Sequence, residues 1–443
     1  MSFRYVIIGI GVAGIAAVEG IRKVDSTGEI TLVGDDPHGF YSRPGLAYYL
    51  TGELEGQHLF PYPTADLAKL NARFLRDRVL RILPLERKLS LASGKELGYD
   101  RLLLATGAKA LKPNIPGVDL AGVVKLDDYT DARDILGIAR KTRTAVVVGG
   151  GITALELAEG LSARRVKVHY LLRGDRYWAN VLEEAESRLV EKRLNDEGIK
   201  IHFHTEVAEI LGKKGRVAGI RLVGGSTIRC EMVAYAIGIA PRLDLARAAG
   251  LEVERGILAN EYLETSIPGI FTAGDAAQVF DPLTGRSVLD SLWGPAREQG
   301  FIAGQNMAGK HFRYIKEVPF NVTRLAGLTT TIIGMLGGGR DEDVIGIVRG
   351  DSETWRDRPE AISAQSGFDI NRVRLMVGRD RLLGAIVIGD QGLSATLEGL
   401  IRERVDITTI RSQLLEPNAP ISAILKGFWA NHTARPVANM AAG

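Results

Sequence analysis

The sequence holds a single cysteine in 443 residues. That excludes an intramolecular disulfide framework, a CxxC redox pair and a Cys-ligated iron–sulfur cluster. No apolar run approaches the ~18 residues of a transmembrane helix. No block of like charge stands out either. The 56 Lys and Arg against 53 Asp and Glu leave a scattered net +3, which offers no patch for a polyanion or a membrane surface. Proline is sparse beside glycine, 16 against 52, and no low-complexity segment is present. What is plentiful is apolar material, 45% of the chain, enough for real cores and too much for a disordered chain. At roughly 150 residues per domain the length suggests about three domains.

The N-terminus has two readings. Arg4 precedes an uncharged stretch from Tyr5 to Val18, as in the n- and h-regions of an export signal. Gly9, Gly11 and Gly14 at fixed spacing fit instead a buried strand, a turn and a helix start. An h-region has no need of glycines so spaced, and a cytoplasmic protein is expected.

The long-range pattern repeats. Arg4–Ile8 reads as a strand, then GIGVAG, a helix through Lys23 and a strand Glu29–Val33. Thr144–Val148 reads the same way, followed by GGGITA, a helix through Arg164 and a strand Val166–Leu172. Two such βαβ units imply α/β architecture with two doubly wound parallel sheets. Tyr99–Ala105, Val233–Ile239 and Ile270–Ala273 are further strands, the first and last ending in Thr106-Gly107 and Gly274-Asp275, with a helix expected over Gly294–Met307. The strands before glycine turns read as places where the chain crosses between domains. Beyond about Val318 the character changes to antiparallel strands, TRLAGLTTTIIGML, RVRLMV and LLGAIVIGD, then helices. This last part reads as a separate α+β domain, in which Thr329–Leu336 is the expected place of subunit contacts.

Each glycine loop has a chemical reading. In GxGxxG the first glycine permits the tight turn, the second lets backbone N–H groups approach a pyrophosphate, and the third allows close packing. The helix N-terminus then favours the negative charge. Asp35, 21 residues after Gly14, is placed to accept from a ribose hydroxyl. The second loop, Gly149, Gly151 and Ala154, is the GxGxxA variant. Its usual acid position falls at Leu172, with Arg173 and Arg176 following. An arginine there can take a 2′-phosphate, which leans towards NADPH over NADH; the alternative is two solvated surface arginines.

GIGVAG, FYSRPGL, LLLATGA, GGGITALELAE, AIGIAPR, IFTAGDAAQV and LWGPAREQG stand in this order along the chain. Together they resemble the two-dinucleotide flavoproteins of pyridine nucleotide–disulfide oxidoreductase fold. The branch most resembled is that of NAD(P)H-dependent rubredoxin and ferredoxin reductases and the flavoprotein part of assimilatory nitrite reductases. The resemblance implies an FAD-binding domain in two parts, residues 1–115 and 246–317, a NAD(P)-binding domain over 116–245, and a C-terminal α+β interface domain over 318–443. It implies that Gly9, Gly11, Val12, Ala13, Gly14, Asp35, Arg43, Pro44, Val79, Ala105, Thr106, Gly107, Gly274 and Asp275 hold FAD. Gly149, Gly151, Ile152, Ala154, Arg173, Arg176 and Gly238 would hold the nicotinamide nucleotide. Glu156, Trp293 and Arg43 are the candidate catalytic residues. Glu156 matches a carboxylate near the nicotinamide and the flavin, and Trp293 a tryptophan beside the flavin. The plainer alternatives are a first-turn helix acid and a core aromatic.

Departures from the family also inform. Where some relatives carry a lysine after the Arg-Pro pair, this chain has Tyr48, and Tyr41–Leu50 lacks the cysteines of the disulfide reductases. Cys230 reads as a small buried hydrophobe. His202 and His204 alternate on a strand and share a face, but without a third ligand they read as ordinary strand histidines. Glu183, Glu184 and Glu186 read as a solvated helix face, and Asp341, Glu342 and Asp343 as a solvent loop, with Ca²⁺ left as an alternative; no metal site is assigned. The expected activity is electron transfer from a nicotinamide through flavin to a separate iron–sulfur or rubredoxin-like protein, without a protein thiol. The alternatives are an oxidase or quinone reductase with a diffusible acceptor, and a flavoprotein subunit of a larger redox complex. A homodimer through the C-terminal domain is one possible assembly; no nucleic acid or membrane partner is expected.

Overall fold

The computed structural model describes residues 3–62, 69–337, 347, 349–357, 359–368 and 370–434. Its contacts divide into two units. The first comprises Met1–Asp175, Leu194–Lys316 and Asp343–Glu353; the second comprises Arg176–Arg193, Glu317–Glu342 and Thr354–Gly443.

Two parallel five-stranded sheets organise the first unit. One runs in the order Ile270–Thr272, Arg101–Leu104, Arg4–Ile8, Glu29–Gly34, Ala72–Arg76. The other runs Lys200–His202, Lys167–Leu171, Thr144–Val148, Met232–Tyr235, Val123–Lys125. Their central strands are near-continuous Val, Ile and Leu runs buried on both faces, as parallel sheets require. Register brings the carboxyl ends together: Ile8 faces Val33 and Leu104, and Thr272 faces Leu104. In the second sheet Val148 faces Leu171 and Tyr235. Ligands of open α/β sheets sit along this edge.

The helix Val12–Arg22 crosses the helix Trp293–Met307. A Cβ on Gly300 or Gly304 would lie 2.1 Å from the carbonyl oxygen of Ala13 or Ala17. Glycine at these points is therefore what lets the two backbones touch. The expected strand Val233–Ile239 is two strands, Met232–Tyr235 and Ile239–Pro241, because Gly238 turns the backbone at φ +126° between them. Ile239–Pro241 pairs antiparallel with Ala108–Ala110.

In the second unit a five-stranded antiparallel sheet runs Phe320–Leu325, Leu328–Gly334, Leu382–Ile388, Asn371–Val377, Ile362–Phe368. Helices Ser394–Arg402, Thr408–Leu414 and Ile421–Thr433 share its core, through Leu397, Leu400 and Leu425. Trp429 lies over Gly399, where a Cβ would come within 2.5 Å of its ring. Two expectations concern this unit. Thr329–Leu336 lies mostly within an inner strand, and Thr330, Thr331, Ile332, Ile333 and Leu336 are buried by the chain itself, leaving Thr329 exposed. Most of its apolar side chains are therefore used by the chain's own core, with Met335 half-buried. Glu186 is no solvated acid: it is fully buried and paired with buried Arg374. The acids 341–343 lie outside the described residues. No helix among the described residues is long and apolar enough to cross a membrane.

Candidate functional site

The first glycine loop leaves Ile8 at the sheet edge. Gly9 adopts φ +118°, and a Cβ there would lie 2.1 Å from the carbonyl oxygen of Ala105. A Cβ on Gly14 would lie 2.1 Å from the oxygen of Gly9, so the third glycine seats the helix on its own turn. Around Gly11, by contrast, no atom lies within 4 Å of where a Cβ would be. Gly11 is also the N-cap of the helix Val12–Arg22, and no side chain caps it. The loop is thus packed beneath and open above, the form of a cradle whose free N–H groups suit a phosphate. Gly34 abuts Ile10 of this loop. Asp35 follows it with its carboxylate exposed and accepts from Arg78 Nε at 2.8 Å.

Three further segments end at the same edge. Ala105, Thr106 and Gly107 follow the strand Arg101–Leu104, and Thr106 Oγ1 donates to the carbonyl of Arg242 at 3.0 Å. Gly274 packs on the loop, since a Cβ there would come 3.2 Å from Ala13 Cβ. Pro44 is the N-cap of the helix Gly45–Thr51. Arg43 before it donates to the backbone carbonyl of Asp127 at 2.6 Å. Val79 is buried in the core with Val33 and Leu104.

Residues that the linear motifs do not mark meet these segments, among them Asp127, which follows the strand Val123–Lys125 of the second sheet. Asp127, 5% exposed, accepts from Arg349 Nη2 at 2.5 Å and lies 3.6 Å from Arg242 and 4.0 Å from Lys125. Burial would raise its pKa, but Arg349, Arg43 and the other cations hold it below the ordinary value. For Asp275 burial wins and the pKa is raised, against the opposing pull of Arg349 and Arg43. Burial pushes the Tyr41 hydroxyl up to about 12. Burial disfavours the Arg43 charge, yet Tyr41, Asp127 and Asp275 outweigh it and its pKa is raised. The only linear hint of Asp127 is an extra acid before the capping box Asp128–Asp131 that opens the helix Tyr129–Ala139.

The second loop repeats the geometry of the first. Gly149, at φ +145°, would place a Cβ 2.2 Å from the oxygen of Ala236 and 3.0 Å from Ala154 Cβ, while Gly150 faces open space. Gly151 is the N-cap of the helix Ile152–Ala163. Gly238 is buried, and its carbonyl accepts from Leu111 N at 2.9 Å. Leu172 is buried and Arg173 exposed, so the strand end offers a cation and no acid at that position. Arg176 is half-buried.

Glu156 stands in the second turn of its helix, not the first, so the first-turn dipole reading falls away; it is half-buried. Trp293 opens its helix half-buried, its ring 6.1 Å from that of Phe40. Cys230 is 2% exposed, and burial pushes its thiol up to about 12. His202 and His204 do not share a face. His204 has left the strand with φ +50°, and His202 meets His169 instead, ring nitrogens 2.9 Å apart. Burial lowers the pKa of both His169 and His202. No cluster of three metal-ligating side chains occurs among the described residues.

Comparison with known proteins decides the family. The pyridine nucleotide-disulphide oxidoreductase model matches residues 3–300. The chain belongs to this family. As a member it is an oxidoreductase that uses FAD and NAD(H) or NADP(H). It is 32% identical over 380 residues to the biphenyl dioxygenase system ferredoxin–NAD(+) reductase component of Paraburkholderia xenovorans, covering 84% of this chain and 87% of that protein. It is 26% identical over 418 residues to the nitrite reductase [NAD(P)H] of Bacillus subtilis, covering 94% of this chain. The chain spans about half the length of that nitrite reductase, 49%. Among solved structures it superposes on the covalent putidaredoxin reductase–putidaredoxin complex with TM-score 0.84 at 24% identity, covering 98% of this chain and 99% of that one. That likeness bears on the fold.

Proposed function

We propose that this chain takes reducing equivalents from a nicotinamide nucleotide and passes them to a separate iron–sulfur or rubredoxin-type protein in the cytoplasm. The observation that carries this is Cys230. It is the only cysteine and lies in a core cluster with Val146 and Ile220, with its thiol held neutral by burial. A neutral buried thiol is neither nucleophile nor redox relay, so the chain has no internal disulfide to reduce. Its similarity to a ferredoxin–NAD(+) reductase component supports a protein acceptor.

The cradle at Gly9–Gly14 would hold the FAD diphosphate, with Asp35 beside the ribose and Asp275 and Arg43 along the flavin side. The Gly149–Ala154 loop, Gly238 and Arg173 would hold the nicotinamide nucleotide. Residues 1–115 and 246–317 would form the FAD part, 116–245 the NAD(P) part and 318–443 the interface part, except that Arg176–Arg193 groups with the interface part, and Ile347 and Arg349–Glu353 with the nucleotide-binding parts. FAD supplies the conversion of a two-electron donor into one-electron deliveries. The chain binds both nucleotides, orients them by fixed backbone, and places charge along their phosphates. Glu156 and Trp293 are the side chains assigned to the reacting end.

The test is anaerobic reduction by NADH or NADPH, then mixing with ferredoxin, rubredoxin, a quinone or dioxygen. Fast oxidation by an iron–sulfur or rubredoxin protein supports the proposal. Fast oxidation by dioxygen or quinone alone overturns it.

A further inference from the structure

Ile347 and Arg349–Glu353 form a short strap that belongs to the first unit although the chain reaches it only after entering the second. Ile347 pairs antiparallel with Ile239, and Ile239 N donates to Ile347 O at 2.9 Å. At the other end Ser291 N donates to Asp351 O at 2.8 Å and Gly350 N to Ser291 O at 2.9 Å. Ser352 Oγ donates to Asp290, whose other oxygen lies 3.3 Å from the buried ammonium of Lys316. Leu289 N donates to Glu353 at 3.0 Å, and Arg255 pairs with the same carboxylate. Both ends are therefore fastened to dinucleotide-binding backbone. One end is next to Gly238; the other lies just ahead of Trp293.

Between them the strap presents Arg349. Its side chain is 20% exposed and is held by Asp127 at 2.5 Å. Asp127 cannot neutralise all its neighbours: Arg242 is also within 3.6 Å, while Lys125 has its own partner in Asp131 at 2.6 Å. Asp275, on the turn that packs against Ala13 of the first glycine loop, feels Arg349 more strongly than any other cation. A mostly buried guanidinium that shares its carboxylate with Arg242, while Arg43 occupies the carbonyl of the same aspartate, is expensive unless an anion completes it.

We propose that Arg349, delivered by this segment and oriented by Asp127, is a counter-cation of the FAD diphosphate. This rests on the assignment of the first glycine loop to FAD made above. It makes flavin retention depend on chain far from either glycine loop. Arg349 is here a cofactor-holding residue, and Asp127 a positioning residue that acts through it.

The experiment titrates FAD into the deflavinated full-length chain and reads the dissociation constant from flavin fluorescence. Wild type, Arg349→Gln, Arg349→Lys and Asp127→Asn are compared at low and high salt. Loss of one charge-assisted contact should weaken FAD binding in Arg349→Gln by about tenfold or more. Lysine should restore part of the loss, and the gap should narrow at high salt. Asp127→Asn should weaken binding less, because the cation remains. FAD binding by Arg349→Gln equal to wild type overturns the proposal. So does a rise in nicotinamide KM with unchanged FAD affinity, which would place Arg349 on the other nucleotide. If wild-type apoprotein takes up no FAD, the assignment of the first loop itself fails, a result distinct from either.

Discussion

Arg374 Nε donates to Glu186 Oε1 at 2.8 Å, and neither side chain is more than 1% exposed. The same guanidinium donates to the carbonyls of Val181 at 2.8 Å and Leu336 at 3.2 Å. It thereby joins the segment Arg176–Arg193 to the antiparallel sheet within the second unit. Removing one partner of a buried pair strands the other charge, at a cost of about 3–5 kcal/mol, whereas replacing both with apolar residues is often neutral. Glu186→Ala leaves Arg374 only the partly exposed Glu183, 3.6 Å away, and should therefore lower unfolding free energy by up to about that amount in denaturant titration, while Glu186→Leu with Arg374→Met should recover most of it. A loss below about 1 kcal/mol for Glu186→Ala would count against this account.

The glycines of the first loop should separate folding from binding. Gly14→Ala places a methyl 2.1 Å from the oxygen of Gly9, and overpacking of this kind costs typically about 1–3 kcal/mol or more. It should lower Tm and lose flavin together. Gly11→Ala meets nothing within 4 Å; the chain should melt as wild type and yet hold FAD more weakly, because the methyl enters the space of the cradle. Circular dichroism melting and the visible flavin band read the two effects. Equal FAD retention in Gly11→Ala would remove that space from the binding site.

What a sequence shows of a fold depends on the kind of signal each residue leaves. Gly9, Gly14 and Gly149 were readable because a backbone that must turn or touch tolerates only glycine, and the demand repeats at fixed spacing. The antiparallel strands Asn371–Val377 and Leu382–Ile388 were readable because the alternation and the turn are local. Arg349 and Asp127 were not, since 222 positions separate them and neither carries a local pattern. Glu186 looked solvated because three acids in four positions suggest a wet face, and only the fold brings Arg374 to it. His202 follows the same rule: alternation predicts a face shared with His204 along one strand and is blind to His169 on the next.

Arg173 should set the choice of nicotinamide nucleotide. It is exposed at the end of the strand Lys167–Leu171, where Leu172 stands in place of an acid. An arginine gives a 2′-phosphate a charge-assisted partner and gives a 2′-hydroxyl much less. Arg173→Ala should raise KM for NADPH by about tenfold and leave KM for NADH within about twofold. Stopped-flow reduction of the flavin at varied nucleotide concentration measures both. Faster reduction of wild type by NADH than by NADPH would overturn the preference.

Cys230 should matter to stability at high pH and not to turnover. Burial, with Glu231 adding to it, raises its pKa from 9.0 to about 12. The folded state therefore keeps a proton that the unfolded state gives up. The stabilisation is fully present below pH 9 and is lost as pH rises from 9 towards 12. Over that window wild type should lose up to about 1.4 kcal/mol per pH unit relative to Cys230→Ala. At neutral pH Cys230→Ala should reduce the same acceptor at the wild-type rate. A thiol reagent should leave the folded wild-type protein unmodified and active, since the sulfur is both protonated and enclosed. Loss of electron transfer in Cys230→Ala with flavin still bound would return the thiol to the mechanism and undo the assignment of an external acceptor.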